Sequence, residues 1–237
     1  MTTLPVTVAS AAPAGDGPII QARDLTHSYG RSPALRGISL DVARGEIVAV
    51  SGPSGSGKST LLLCLAGILE PDSGEVAFRG RRIDGDSEAV RSRRRRREFG
   101  VLFQFGQLVP ELTAAENVAL PLLLAGVRRR AAEATAREWL DRFGVADLAA
   151  QRPTEMSGGQ SQRVAVARAL VAGPEILFAD EPTGALDSLA GENVLHQLTQ
   201  VAAECGTTVL LVTHDARVAA YATREIVVRD GHLVGPR

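Results

Sequence analysis

The stretch Gly52-Pro53-Ser54-Gly55-Ser56-Gly57-Lys58-Ser59-Thr60 constrains this chain more than any other, because it fits G-x-x-x-x-G-K-[ST] in the setting that gives the pattern meaning. An apolar run, Ile47-Val48-Ala49-Val50, leads into it and reads as a strand. Leu61 to Leu69 follows, apolar and opening with good helix formers. Strand, glycine-rich loop and helix in that order put the loop at a helix N-terminus. Gly52, Gly55 and Gly57 let successive N–H groups turn inward toward phosphate oxygens, and the helix dipole adds to the attraction. Pro53, Ser54 and Ser56 fill the remaining loop positions. Lys58 can bridge β- and γ-phosphates, Ser59 can offer its hydroxyl to Mg²⁺, and Thr60 belongs on the α-phosphate side. The bland alternative is a Gly/Ser loop that fits by chance, and the flanking strand and helix weigh against it.

The chain's 237 residues are 45% hydrophobic and 22% charged, which suits one large domain or two closely packed lobes. A formal net charge of -1 supplies no global field toward nucleic acid or an anionic membrane. Cys64 and Cys205 are far apart and lack a C-x-x-C spacing, which argues against a disulfide framework or zinc site and fits a reducing cytoplasm. The richest apolar stretch, Val118 to Val127, is interrupted by Pro121 and Gly126 and is too short to cross a bilayer. Ala9-Ser10-Ala11 looks like a signal-peptidase site, but no basic residue precedes it, so a flexible tail is expected over 1–17 and one domain over 18–237.

Ile38 to Val42 alternates with period two, as a half-buried strand does, and Glu75 to Phe78 with Arg82-Ile83 suggests a hairpin. Tyr29 begins a turn upstream of the glycine-rich loop, either as a packing residue or as a platform on which a nucleobase stacks. Arg93 to Arg97, with Arg91 just before, form an anion patch or the solvated end of a short surface helix. The second reading is preferred, since no aromatic residues interleave. From Glu111 to Gly144 the texture is helical, with Thr113 or Thr135 able to cap, and the helical insertion is expected at about residues 105–165.

Strand character returns at Ile176-Leu177-Phe178-Ala179 and at Thr208 to Thr213, separated by a helix from about Ser188 to Glu204. The alternation indicates an α/β core with a mostly parallel sheet, where ligands bind at the carboxyl ends of strands. Polar residues stand at those ends. Asp180 is placed for a Mg²⁺ contact, Glu181 for polarising an attacking water, His214 for a γ-phosphate, and Gln104 for water and Mg²⁺. Each of them alone could equally be a cap, an ion-pair partner or a satisfied strand-end residue.

Met156-Ser157-Gly158-Gly159-Gln160 resembles the L-S-G-G-Q signature of the ATP-binding cassette (ABC) ATPases, with Met in place of Leu. The resemblance spans Ile19 to about Val234 and follows the family's motif order. It has an aromatic A-loop at Tyr29, Walker A at Gly52 to Thr60, a Q-loop at Gln104, the signature, Walker B at Ile176 to Asp180 with Glu181, a D-loop at Ala185-Leu186-Asp187, and an H-loop at His214. It implies a P-loop NTPase core with an N-terminal antiparallel β-subdomain and an inserted α-helical subdomain. It further implies ATP and Mg²⁺ as ligands, and a head-to-tail pair in which one copy's Ser157, Gly158, Gly159 and Gln160 cap ATP on the other's phosphate loop. Glu181 is then the general base, His214 the γ-phosphate sensor and Asp187 the contact across the pair.

Gln104 to Val118 and Asp180 to Asp187 are similar to the subfamily of lipoprotein-releasing, macrolide-efflux and cell-division ABC ATPases. Phe105-Gly106 and Ser161 depart from it without removing a catalytic group. The implied partner is an integral-membrane permease on another chain, docking near Phe105 to Asn117, with this chain peripheral on the cytoplasmic face. Nucleic acid is not an expected partner. The alternative is a non-transport ABC ATPase acting on ribosomes or DNA.

Overall fold

In a computed structural model of the chain, residues 17–104 and 106–234 are described. The tail expected over 1–17 lies outside them except for Gly17, and so does Phe105.

The strand predicted before the glycine-rich loop is β3 (Ile47–Ser51), and its neighbours decide how the functional edge is built. It pairs in parallel with β8 (Thr208–Val212) on one side and β9 (Arg224–Arg229) on the other. β7 (Ile176–Asp180) and β6 (Phe99–Leu102) continue the sheet in parallel beyond β8, and β10 (His232–Val234) closes the far edge antiparallel to β9. The order is β10-β9-β3-β8-β7-β6. Asp180 lies opposite Val212, Val50 opposite Val212, and Leu102 opposite Ala179. Four parallel strands therefore stop level with one another, and whatever follows each strand emerges on one edge.

Alternation along these strands sorts their side chains into two cores. Val48, Val50, Phe178, Ile176, Leu210 and Val212 face a cluster shared with α1 (Lys58–Leu65) and the N-terminal strands. Leu177, Ala179, Val209 and Leu211 face a cluster shared with the helices. Burial on both faces is why these strands read as unbroken apolar runs.

The N-terminal strands β1 (Ile20–Tyr29) and β2 (Ser32–Val42) form an antiparallel sheet with β4 (Ser73–Phe78) and β5 (Arg81–Arg82), in the order β2-β1-β4-β5. It packs on the main sheet through Ile20, Leu25, Ile38 and Phe78, and Arg36 N donates to Gly231 O at 2.9 Å.

After α2 (Glu88–Arg97) and β6 come α3 (Ala114–Leu124), α4 (Arg129–Arg142) and α5 (Gly158–Leu170). Thr113 caps α3 in a reciprocal box with Glu116, whereas Thr135 lies inside α4. Helix α6 (Ser188–Cys205) and the short α7 (Ala216–Ala219) complete the chain's helices among the described residues. None of these helices is long and apolar enough to cross a membrane.

Candidate functional site

The glycine-rich loop follows β3 and ends at α1, as its sequence demands. Gly52 and Gly57 have φ of 141° and 103°, and each is hemmed in by backbone. A Cβ on Gly52 would stand 2.0 Å from the Val228 carbonyl oxygen, and one on Gly57 would stand 2.3 Å from that of Ala34. Only glycine satisfies both the conformation and the space. Gly55 (φ 77°) has open space around it and lies on the exposed crest with Pro53 and Ser54, while Ser56 and Thr60 are buried.

Lys58 opens α1 and is almost wholly buried, its Nζ donating to the carbonyls of Gly52 (2.9 Å) and Pro53 (2.8 Å). The ammonium is thus held across the loop rather than swinging in solvent. Beside it lies a cleft of about 280 Å³ bounded by Tyr29, Pro33, Ala34, Gly57, Ser59 and Thr60 among others. Tyr29 ends β1 with 55% of its surface exposed, braced edge-on by His27 with ring centroids 4.9 Å apart. A half-exposed aromatic and the glycine-rich loop thus line the same cleft.

The strand ends complete the edge. Ser59 Oγ donates to Asp180 Oδ1 at 3.0 Å, joining the start of α1 to the end of β7. Burial pushes the Asp180 carboxyl above its ordinary value, an effect the Ser59 hydrogen bond partly opposes. Glu181 follows at φ 46°, a left-handed conformation uncommon for a residue with a side chain, after its N–H has bonded Val212 O at 2.9 Å. The turn sends its carboxylate toward His214, whose Nδ1 is 2.7 Å from Glu181 Oε1. Glu181 is 19% exposed and His214 56%, so the pair has a sheltered carboxylate and an open imidazole. Gln104 joins them over Gly184, where a Cβ would meet Gln104 Nε2 at 2.8 Å and Glu181 Oε2 at 3.3 Å.

The signature residues stand elsewhere. Ser157 caps α5, its Oγ accepting from Gln160 N at 3.3 Å while Gln160 Oε1 accepts from Ser157 N at 2.8 Å. The neighbours of Gly158 and Gly159 are Leu186 and Ala190, not the glycine-rich loop. Asp187 caps α6 by accepting from Ala190 N at 2.9 Å. Within one chain, Gly52 to Thr60, Asp180, Glu181, His214 and Gln104 share an edge, Tyr29 at the end of β1 faces the loop across the cleft, and Ser157 to Gln160 with Asp187 form a second group.

Several contributors have no sequence signal of their own. Ala34 and Val228 confine the loop glycines only because β2 and β9 flank it. Gln162, 4% exposed, donates to Pro182 O at 2.6 Å and ties α5 to the turn carrying Glu181. A polar residue among the apolar positions of α5 was the one clue available. The arginine run divides by helical face: Arg94 is paired with Asp86 and Arg95 with Glu88, whereas Arg93, Arg96 and Arg97 are exposed. The expected solvated helix end holds for the second set only. Glu116, within the expected docking segment Phe105 to Asn117, is engaged in its capping box.

The ABC transporter family model matches residues 35–184. The chain belongs to the ABC transporter family, among its ATP-binding subunits. A lipoprotein-releasing system ATP-binding protein, LolD 2 of Caulobacter vibrioides, is 47% identical over 91% of this ABC chain and 96% of its own length. The macrolide export ATP-binding/permease protein MacB of Marinobacter nauticus is 43% identical over 92% of this chain, which spans 34% of that longer protein. Among solved structures, a dimeric ATP-binding cassette in a post-hydrolysis state bound to ADP and Pi superposes with a TM-score of 0.85 at 37% identity, covering 91% of this chain and 97% of that one. The α/β P-loop fold with its mixed sheet and helical insertion is the fold of those cassettes.

Proposed function

We propose that this chain is the ATP-binding and ATP-hydrolysing subunit of an ABC transporter, working as a pair of copies on the cytoplasmic face of a membrane under a separately encoded permease. The observation that carries the reading is the single sheet edge on which the phosphate loop, Asp180, Glu181, His214 and Gln104 converge, with Ser59 bonded to Asp180 and His214 to Glu181. The relatives' names support export of the lipoprotein-releasing or macrolide kind for the cargo.

ATP lies with its base on Tyr29 and its phosphates over the amides of Gly52 to Thr60 at the start of α1, where the helix dipole favours negative charge. Lys58 exchanges the Gly52 and Pro53 carbonyls for β- and γ-phosphate oxygens, a short move for a side chain already lying across the loop. Ser59, Asp180 and Gln104 offer a hydroxyl, a carboxylate and an amide oxygen, a hard-oxygen donor set that fits Mg²⁺. An ion held by these residues would offset charge on the phosphate oxygens. Glu181 accepts the proton of the attacking water. Its partner His214 stays oriented by donating Nδ1–H to Glu181, and in its doubly protonated form it donates Nε2–H to the γ-phosphate.

Ser157, Gly158, Gly159 and Gln160 begin α5 on a different face from the phosphate loop, so they act on nucleotide held by the other copy, with Asp187 beside that contact. The homologous dimeric cassette supports this pairing. The test is Glu181→Gln with ATP and Mg²⁺. Hydrolysis should fall by about a hundredfold or more, and light scattering should show a dimer that ADP does not produce. Undiminished hydrolysis would remove Glu181 from the mechanism, and absence of the dimer would remove the pairing.

A further inference from the structure

Helices α3 and α4 pack on each other and are joined by the short turn 125–128, so they form a helical hairpin. Residues 123–131 are exposed without a break and make its tip. Leu123, Leu124 and Val127 are 37%, 61% and 38% exposed there. Among the described residues the other exposed large hydrophobics, Tyr29, Ile68, Leu189 and Val234, are scattered along the chain, so the tip is where such side chains gather. Arg128, Arg129 and Arg130 follow directly. Arg129 is paired with Glu133 at 2.7 Å and has Glu116 at 3.9 Å, whereas Arg128 and Arg130 have no carboxylate or hydrogen-bond partner among the described residues. Arg96 of α2, exposed and likewise unpaired among them, lines a cavity together with Leu124 and adds a cation on that side.

Single exposed apolar side chains need no explanation, but a contiguous apolar tip beside unpaired arginines does. It is what an interfacial segment presents to a bilayer: apolar side chains enter the boundary of headgroups and acyl chains while cations meet lipid phosphates. The end of a hairpin is convex, which suits a broad deformable surface, whereas a partner helix is received in a groove. Nucleic acid would find the cations but no aromatic side chain among residues 123–131 to stack on. We propose that this tip contacts an anionic lipid surface directly, with Leu123, Leu124 and Val127 at the headgroup boundary and Arg128 and Arg130 on lipid phosphates. The proposal rests on the reading that the chain works against the cytoplasmic face of a membrane, and adds a contact made with lipid itself, without any permease. Helix α3 holds the tip roughly 16 Å from its cap at Thr113. The contact therefore orients the helical insertion relative to the bilayer and leaves the nucleotide edge untouched.

The test is co-sedimentation of the full chain with vesicles of phosphatidylcholine alone, or of phosphatidylcholine and phosphatidylglycerol in equal parts, at physiological ionic strength. The anionic vesicles should bind about tenfold more tightly, and added salt should weaken that binding. R128E/R130E should remove the preference, and L124D/V127D should weaken binding to the anionic vesicles by about tenfold. Both variants should keep the basal ATPase rate. Equal binding to the two compositions, or a preference that survives R128E/R130E, would overturn the proposal, and so would anionic binding indifferent to L124D/V127D. Should the apolar variant not fold, the charge variant still decides. Tighter arginine-dependent binding to a helical leucine–glutamate peptide than to the anionic vesicles would overturn the proposal in favour of a protein partner. The parent reading fails separately, through loss of ATP-dependent pairing in Glu181→Gln, which is measured without lipid.

Discussion

Gly52 and Gly55 belong to one motif, yet the structure assigns their replacement by alanine different consequences. At Gly55 the φ of 77° is the whole difficulty, since nothing lies within 4 Å of an added Cβ. A left-handed alanine costs about 1–2 kcal/mol. At Gly52 the φ of 141° is joined by a collision, with the new Cβ 2.0 Å from the Val228 carbonyl oxygen and 3.1 Å from Ser56 Oγ. Val228 cannot retreat cheaply, because β9 is paired with β3 next to it, Val227 opposite Ser51. Moving a strand within its sheet, or distorting the loop, brings the total to roughly 3–5 kcal/mol, in the range of severe single substitutions. For a chain of this size 1 kcal/mol shifts Tm by roughly 2–4 °C. Gly55→Ala should therefore lower Tm by about 2–8 °C and Gly52→Ala by about 6–20 °C, read by differential scanning fluorimetry without nucleotide at matched concentrations. Equal shifts for the two variants would show that the Val228 contact does not govern the loop, and the steric argument would fall.

Other predictions test the carboxylates and thiols. Because burial raises the folded-state pKa of Asp180, ionisation favours the unfolded chain, a penalty absent below the unfolded pKa and complete above the folded one. Asp180→Asn should accordingly raise Tm near pH 7, lose that advantage as pH falls into the carboxylate range, and lose hydrolysis; a lower Tm at pH 7 would contradict the burial argument. Burial pushes the Cys64 thiol up to about 12. A disulfide reagent should titrate Cys205 alone in the native protein and both thiols after unfolding, and rapid native labelling of Cys64 would show that α1 opens. Asp187→Asn should keep the α6 cap and the Tm, since Asn caps as well as Asp, whereas Asp187→Ala should cost about 1 kcal/mol. Any loss of turnover in Asp187→Asn then reports on charge across the pair, and identical Tm values for the two variants would deny the cap.

The periodic and punctuated parts of the fold were legible in the sequence. Ile47 to Val50, Ile176 to Ala179 and Thr208 to Val212 are apolar on both faces because both faces are covered, and the polar residue ending each run marks the edge where chemistry can occur. Strand order was not legible. Nothing local says that β8 lies between β3 and β7, and that placement is what sets His214 against Glu181. The confinement of Gly52 and Gly57 by Val228 and Ala34 was hidden for the same reason, since the confining residues come from strands distant in sequence. The arginine run misled in part because composition does not reveal helical face, and the face decides which arginines meet Glu70, Asp86 and Glu88 and which remain free.

The two groups of functional residues are distributed as the topology compels. Parallel strands can place several loops on one edge, but α5 begins after a long helical excursion from β6, and its N-terminus rests on Leu186 and Ala190. Helix α6 leaves β7 through the Asp187 cap, so the signature and the D-loop are fastened to each other, while the phosphate loop is fastened to β9 and β2. The reciprocal bonds between Ser157 and Gln160 satisfy two of the amides at the start of α5 and fix that end of the helix. A chain built this way has a complete phosphate cradle and a complete cap but cannot bring one onto the other. On the pairing proposed above, a second copy would supply the missing half, and nucleotide held between the copies would be part of the contact that hydrolysis weakens.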